Sequence, residues 1–324
     1  MPARFEHVLV TGATGFVGRH LHPALLREGY EVHGASREPE AAEQRFPGRR
    51  FRRLEMGDRV SIAEALAGCD AAFYLVHGMA DGGDYEAAEL RMAHDFLREA
   101  ERAGVRRIVY LGGVRPSGRV SKHLRSRLAT GEILRSGSIP TIELQASMII
   151  GRGSESWRIV RDLAMRLPVM VLPRWMESRT EPIAIDDVTY ALARALEVET
   201  EQSLVETLPG PEILSGREML ERVAALRNMK PCMIEIPLLT PRLSSYWIRL
   251  VTRADRRIAT AIVDGLTADL LAPDRGFWRR FPEHQLIGFD QAAELALLEE
   301  RRDLSVLARI SERAIRALAR PAHR

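Results

Sequence analysis

Short apolar runs alternate with longer stretches of helical spacing through the first half of the chain. His7-Val8-Leu9-Val10-Thr11 predicts a strand, and Phe16 to Glu28 predicts a helix with apolar residues every three or four positions. Tyr30 to Ala35, Arg50 to Glu55, Ala71 to Val76, Arg107 to Leu111 and Thr141 to Ile150 read as five further strands. Between them, Ser61 to Ala67 predicts a short helix, with Ser61 as its cap and Glu64 at capping-box spacing. Asp84 to Ala103 predicts a long helix stopped by Gly104, and Ser121 to Ser136 one stopped by Gly137. Strands alternating with helices predict an α/β fold with a parallel sheet covered on both faces.

Beyond Gly151 the rhythm changes. Prolines punctuate shorter elements, and helices are expected over Asp186 to Val198, Gly216 to Arg227 and Ala292 to Ala319. The expectation is one domain over residues 1–150 and a smaller C-terminal α/β lobe over 151–324. That lobe would pack on the first domain and cap the carboxyl end of its sheet.

The chain has 324 residues, 46% of them hydrophobic, enough for a sizeable core. No apolar run reaches the roughly 18 residues that a membrane span needs. Cys69 and Cys232 form no disulfide framework or metal spacing, and the N-terminus shows no signal-peptide pattern, so a cytoplasmic setting is expected. The net charge is +3, and only Lys122 and Lys230 among the 47 basic residues are lysines. The arginines are spread along the chain and alternate with acids, which is no nucleic-acid stripe.

The chemistry begins at Val10-Thr11-Gly12-Ala13-Thr14-Gly15-Phe16-Val17-Gly18, a G-x-x-G-x-x-G turn between a strand and an amphipathic helix. Gly12 would permit the tight turn. Gly15 would let backbone approach a pyrophosphate, and Gly18 would let the helix pack closely on the sheet. The helix N-terminus would then face the phosphates. This marks a Rossmann-type, doubly wound domain that binds a pyridine dinucleotide, with Gly12, Ala13, Thr14, Gly15, Phe16 and Val17 as contacts. An acidic residue after the second strand would favour NAD(H). Here the strand ends Gly34-Ala35-Ser36-Arg37, so a hydroxyl and a guanidinium face the place of a 2′-phosphate. NADP(H) is preferred, with NAD(H) as the second candidate because Glu38 follows.

These residues resemble the extended and atypical short-chain dehydrogenase/reductase superfamily, through Thr11 to Gly18, Met56-Gly57-Asp58 and Tyr74 to Met79. The chain is most similar to the NmrA-like, YbjT-type branch, through His123 to Arg127, Arg166 to Met170, Pro182 to Val188 and Leu239 to Trp247. The resemblance implies that Asp58 contacts the adenine and that Leu75, Val76 and His77 run beside its ribose. Most members of the superfamily use a tyrosine four residues before a lysine for proton transfer. Here positions 118 and 226, four before the two lysines, are Gly118 and Leu226. His123 and Arg127 stand at the matching helix, one turn apart, as the candidate catalytic pair.

Weaker candidates are Tyr85, Ser147, Met148, the turn Gly151 to Ser154, Trp157, Arg174 and Trp175. Asp186 and Asp187 read as N-terminal acids of a helix. The leading expectation is an oxidoreductase or epimerase-type enzyme on a small molecule. The alternative is a non-catalytic NADP(H)-sensing protein. A homodimer is compatible with either.

Overall fold

The computed structural model describes residues 5–76, 85–118, 120–167, 169–229, 231–235 and 268–303. Seven strands form one parallel sheet: β1 (His7–Val10), β2 (Glu31–Ser36), β3 (Arg50–Arg53), β4 (Ala71–Tyr74), β5 (Arg107–Gly113), β6 (Thr141–Ala146) and β7 (Leu204–Thr207). Their spatial order is 7-6-5-4-1-2-3, the doubly wound order with its reversal between β1 and β4. Ligands in such sheets bind outside the carboxyl ends of the strands at that reversal.

Period-two alternation sends Val8 and Val10 to one face and Leu9 to the other. The first face is covered by α1 (Phe16–Arg27), α2 (Pro39–Arg45) and, from the second half, α7 (Ile185–Arg194). The second is covered by α3 (Arg59–Leu66), α4 (Tyr85–Arg102) and α5 (Lys122–Arg135). A separate core holds the lobe together. It joins α6 (Glu155–Arg166), α8 (Gly216–Ala225) and α9 (Phe289–Asp303) to the strand Val169–Leu172, which pairs in parallel with Cys232–Glu235. Among the described residues, no helix is long and apolar enough to cross a membrane.

Three local expectations need correction. Asp58, not Ser61, caps α3, accepting the Val60 N–H at 2.9 Å. Ser61 is buried inside the first turn, where its hydroxyl accepts the Glu55 N–H at 3.0 Å. The run from Thr141 to Ile150 is two strands, because the chain leaves the sheet after Ala146 and Ile149–Ile150 pairs instead with Ile183–Ala184. Both β7 and α2 escaped the pattern. Where a cap and its partner coincide in sequence and structure, as for Ser215 and Glu218 at α8, a full capping box forms.

Candidate cofactor and active site

Thr11 closes β1. Its Oγ1 donates to the Phe73 carbonyl at 3.0 Å and accepts the Leu75 N–H at 2.9 Å. The ends of β1 and β4 are thereby stitched together, and the Leu75 backbone is held against the glycine turn. Gly12 has φ +63°, and a Cβ there would sit 2.7 Å from the Leu75 carbonyl oxygen. Both facts demand glycine.

Gly15 precedes α1 in extended backbone, and no side chain caps the helix or places an acid in its first turn. The exposed turn therefore offers N–H groups and the positive end of the helix dipole to an anion. This is an observed fit to a pyrophosphate. Ala13 is fully buried, with its methyl beside Gly34 of β2. The Phe16 ring lies near Gly151, and Val17 packs on the sheet core. What Ala13, Phe16 and Val17 can offer a phosphate is backbone. Thr14 is half-buried at the rim.

The next corner is basic. Ser36 ends β2 in register with Arg53 of β3. The Ser36 hydroxyl accepts the Glu38 N–H at 3.1 Å and keeps its own hydrogen to donate. Arg37 is exposed and makes no ion pair with a described residue. Arg53 is also exposed, and the sequence reading passed over it; only strand register shows it beside Ser36. Arg52, on the opposite face, is committed to the carbonyls of Ala65 and Ala67 at 2.9 and 2.6 Å. Asp58 is exposed beyond β3 with one carboxylate oxygen engaged in the helix cap. Leu75 is buried and Val76 half-buried, whereas His77 lies outside the described residues.

At α5, Ser121 accepts the Leu124 N–H at 3.3 Å and sets the first turn. His123 is largely enclosed there. Burial, reinforced by the charge of Arg127, pushes its imidazole down to about 4. The ring is therefore neutral near pH 7. Arg127 lies one turn on, where its Nη2 donates to the Leu111 carbonyl at 2.8 Å and its own carbonyl takes the Tyr110 hydroxyl at 2.9 Å. Its Nε is buried without a partner among the described residues. The structure thus brings His123 and Arg127 together beside the end of β5.

The lobe adds a residue that the sequence reading missed. Ser147, just past β6, donates its hydroxyl to the Glu181 carbonyl at 2.7 Å. The Glu181 carboxylate takes the Ala272 N–H at 2.5 Å, and burial pushes its pKa up. No motif marks Glu181; the fold alone carries it there. Trp157 is core instead of pocket lining, fully buried with Nε1 donating to Glu300 at 3.2 Å. Ser154 caps α6, and Met148 lies in the lobe core. Asp186 and Asp187 do open α7, but Asp187 also binds His284 Nε2 at 2.8 Å and the Ile287 N–H at 3.0 Å. The side chains of Tyr85, Arg174 and Trp175 lie outside the described set.

Comparison with known proteins agrees with this geometry. A model of the NAD dependent epimerase/dehydratase family matches residues 8–138. Cinnamoyl-CoA reductase 1 of Oryza sativa subsp. japonica is 29% identical over 114 residues, 32% of this chain and 33% of the relative. The match thus spans about a third of the length of that curated relative. Among solved structures, the triphenylmethane reductase of Citrobacter sp. superposes with a TM-score of 0.73 at 16% identity, over 90% of this chain and 99% of that one. The same reductase has been solved in complex with NADP(H). UDP-glucose 4-epimerase of Thermotoga maritima gives 0.70 at 12% identity, over 92% and 100% of the two chains. At these identities the structural likenesses show the fold. Through residues 8–138, the chain belongs to the NAD(P)-dependent epimerase/dehydratase family, within the extended short-chain dehydrogenase/reductase superfamily.

Proposed function

We propose that the protein is an NADP(H)-dependent oxidoreductase acting on a small molecule without a tyrosine–lysine pair. The observation that carries this reading is the basic corner: Ser36 and the unpaired, exposed Arg37, with Arg53 in register, next to a helix N-terminus that no side chain caps. A 2′-phosphate would take charge-assisted hydrogen bonds there, which a 2′-hydroxyl cannot. The turn from Gly12 to Gly18 would hold the pyrophosphate, and Asp58 the adenine. Leu75, Val76 and His77 would flank the ribose. When bound, NADPH supplies a hydride at the carboxyl end of the sheet. The reductase among the matched relatives supports this chemistry, while the sugar epimerase keeps an epimerase-type variant in view.

His123 and Arg127 would form the polar wall of the reaction site. A neutral imidazole can donate a hydrogen bond to a substrate oxygen, but it stores no proton at pH 7. Arg127 stays charged and orients.

The same observation favours a second reading. A site with a neutral histidine and no tyrosine–lysine pair also suits an NmrA-like sensor that binds NADP(H) without turnover. Calorimetric titration of cofactor-stripped protein with NADPH, NADP⁺, NADH and NAD⁺ at one salt concentration tests the cofactor assignment. The expected result is binding that depends on the 2′-phosphate. Equal affinity for NADH and NADPH would remove the preference, and no binding of any of the four would end both readings.

A further inference from the structure

The proton inventory of the site is short. Neither lysine can complete a Tyr-x-x-x-Lys pair. His123 is held neutral, and Arg127 does not release its proton. A neutral carbonyl that receives a hydride becomes an alkoxide and must collect a proton. An iminium carbon that receives a hydride becomes a neutral amine. The acceptor gains one hydrogen and two electrons, a C–H bond forms as the C=N π bond breaks, and no proton is drawn from the protein.

A second observation concerns charge. Acids in this chain are commonly paired with arginines, even where buried: Glu99 with Arg59 at 2.6 Å, Glu143 with Arg135 at 2.8 Å and Asp162 with Arg161 at 2.6 Å. Glu181 is half-buried and makes no salt bridge with a described residue. Arg179, two positions away, is taken by Asp269 at 2.8 Å. Glu181 is also fixed in place. Its carbonyl receives the Ser147 hydroxyl at 2.7 Å at the end of β6, and its carboxylate receives the Ala272 N–H at 2.5 Å. A carboxylate withdrawn from water without a counter-charge is costly, and a cationic ligand would offset that cost.

We propose that the substrate is a conjugated cation of the iminium class and that Glu181 pairs its charge beside the end of β6. This rests on the NADP(H)-dependent reading above. It accounts together for the absent proton donor and the uncompensated carboxylate.

The test uses full-length protein saturated with NADP⁺, which cannot deliver hydride. Binding of N-methylquinolinium is measured by calorimetry against quinoline, its neutral counterpart, at a pH where quinoline is unprotonated. Wild-type protein should bind the cation at least about tenfold more tightly. Glu181→Gln should weaken the cation by about tenfold, the scale of one partly buried charge pair, and leave quinoline and NADP⁺ unaffected. The glutamine retains an oxygen for the Ala272 N–H, so the fold is kept, and the NADP⁺ titration verifies it. Equal affinity for cation and neutral ring, or an unchanged cation affinity in Glu181→Gln, overturns the proposal. Failure of the wild type to bind NADP⁺ instead overturns the cofactor reading, and the cation proposal falls with it.

Discussion

Gly18 lies against Gly12 so closely that a Cβ on Gly18 would stand 2.3 Å from the Gly12 carbonyl oxygen. The obstacle is backbone, which cannot swing aside as a side chain can. Gly18→Ala should therefore lift the start of α1 from the turn and cost about 1–3 kcal/mol of stability, with a matching loss of NADPH affinity. Gly57→Ala is the control, since nothing lies within 4 Å of a Cβ there, and it should stay within about 0.5 kcal/mol. Urea denaturation of the two variants decides; equal midpoints would discard this account of the turn.

The basic corner predicts cofactor discrimination. Arg37→Ala should weaken NADPH by about ten- to a hundredfold, the worth of a charged hydrogen bond, with NADH little changed. Arg53→Ala should act in the same direction more weakly, because it sits at the strand end instead of in the loop. Parallel losses for both cofactors would show that these arginines do not touch the 2′-phosphate.

The sheet was legible in the sequence because its inner strands are apolar runs bounded by turns: His7 to Val10 and Ala71 to Tyr74 have nearly every residue buried. β7 was not legible. It is an edge strand reading Leu-Val-Glu-Thr, none of whose residues is fully buried, so it carries no apolar run. Helix α2 was hidden by its brevity, although Pro39 stands at its first turn. The glycine turn could be read because each glycine answers a local backbone need. Glu181 could not, because what brings it to the sheet is a contact with Ser147 across 34 positions of chain.

His123 carries a sharper test. Its imidazole should titrate near 4 by NMR, not near 6.5. Arg127→Ala should raise that value by only part of the difference, since burial outweighs the charge. Titration near 6.5 in the wild type would restore His123 as a stored proton and weaken the case for a proton-poor site.

Acid should destabilise the fold through its histidines. His20, His22, His33 and His123 are all pushed down, mainly by burial, and His22 and His123 reach about 4. The unfolded chain therefore binds more protons between pH 6.5 and 4. Stability from these groups is complete above about 6.5 and falls as pH drops, by up to about 1.4 kcal/mol per pH unit for each histidine. His22, fully buried with both ring nitrogens unpartnered, is the cleanest probe. His22→Leu should flatten the slope of urea stability between pH 6.5 and 4.5; an unchanged slope would refute its share.

Glu143 is buried in β6 between Gly112 and Gly131, and a Cβ on Gly131 would fall on its carboxylate. Its partners are Arg135 and Gln145, each at 2.8 Å. Glu143→Ala strands the guanidinium and should cost about 3–5 kcal/mol. Adding Arg135→Leu should recover part of that loss. A double variant no more stable than Glu143→Ala would show that the stranded charge is not the cause.

Strand β7 bears on how the polypeptide is made. It comes from residues 204–207 and completes the sheet along β6, pairing Leu204 with Ile142 through to Thr207 with Gln145. During synthesis the flank of β6 must wait, bare, until the ribosome has delivered most of the second half. A fragment ending near residue 150 would keep that flank permanently open, an edge ready to recruit strands from other chains. Cutting the gene at the apparent boundary would thus yield aggregate before it yielded a cofactor-binding module.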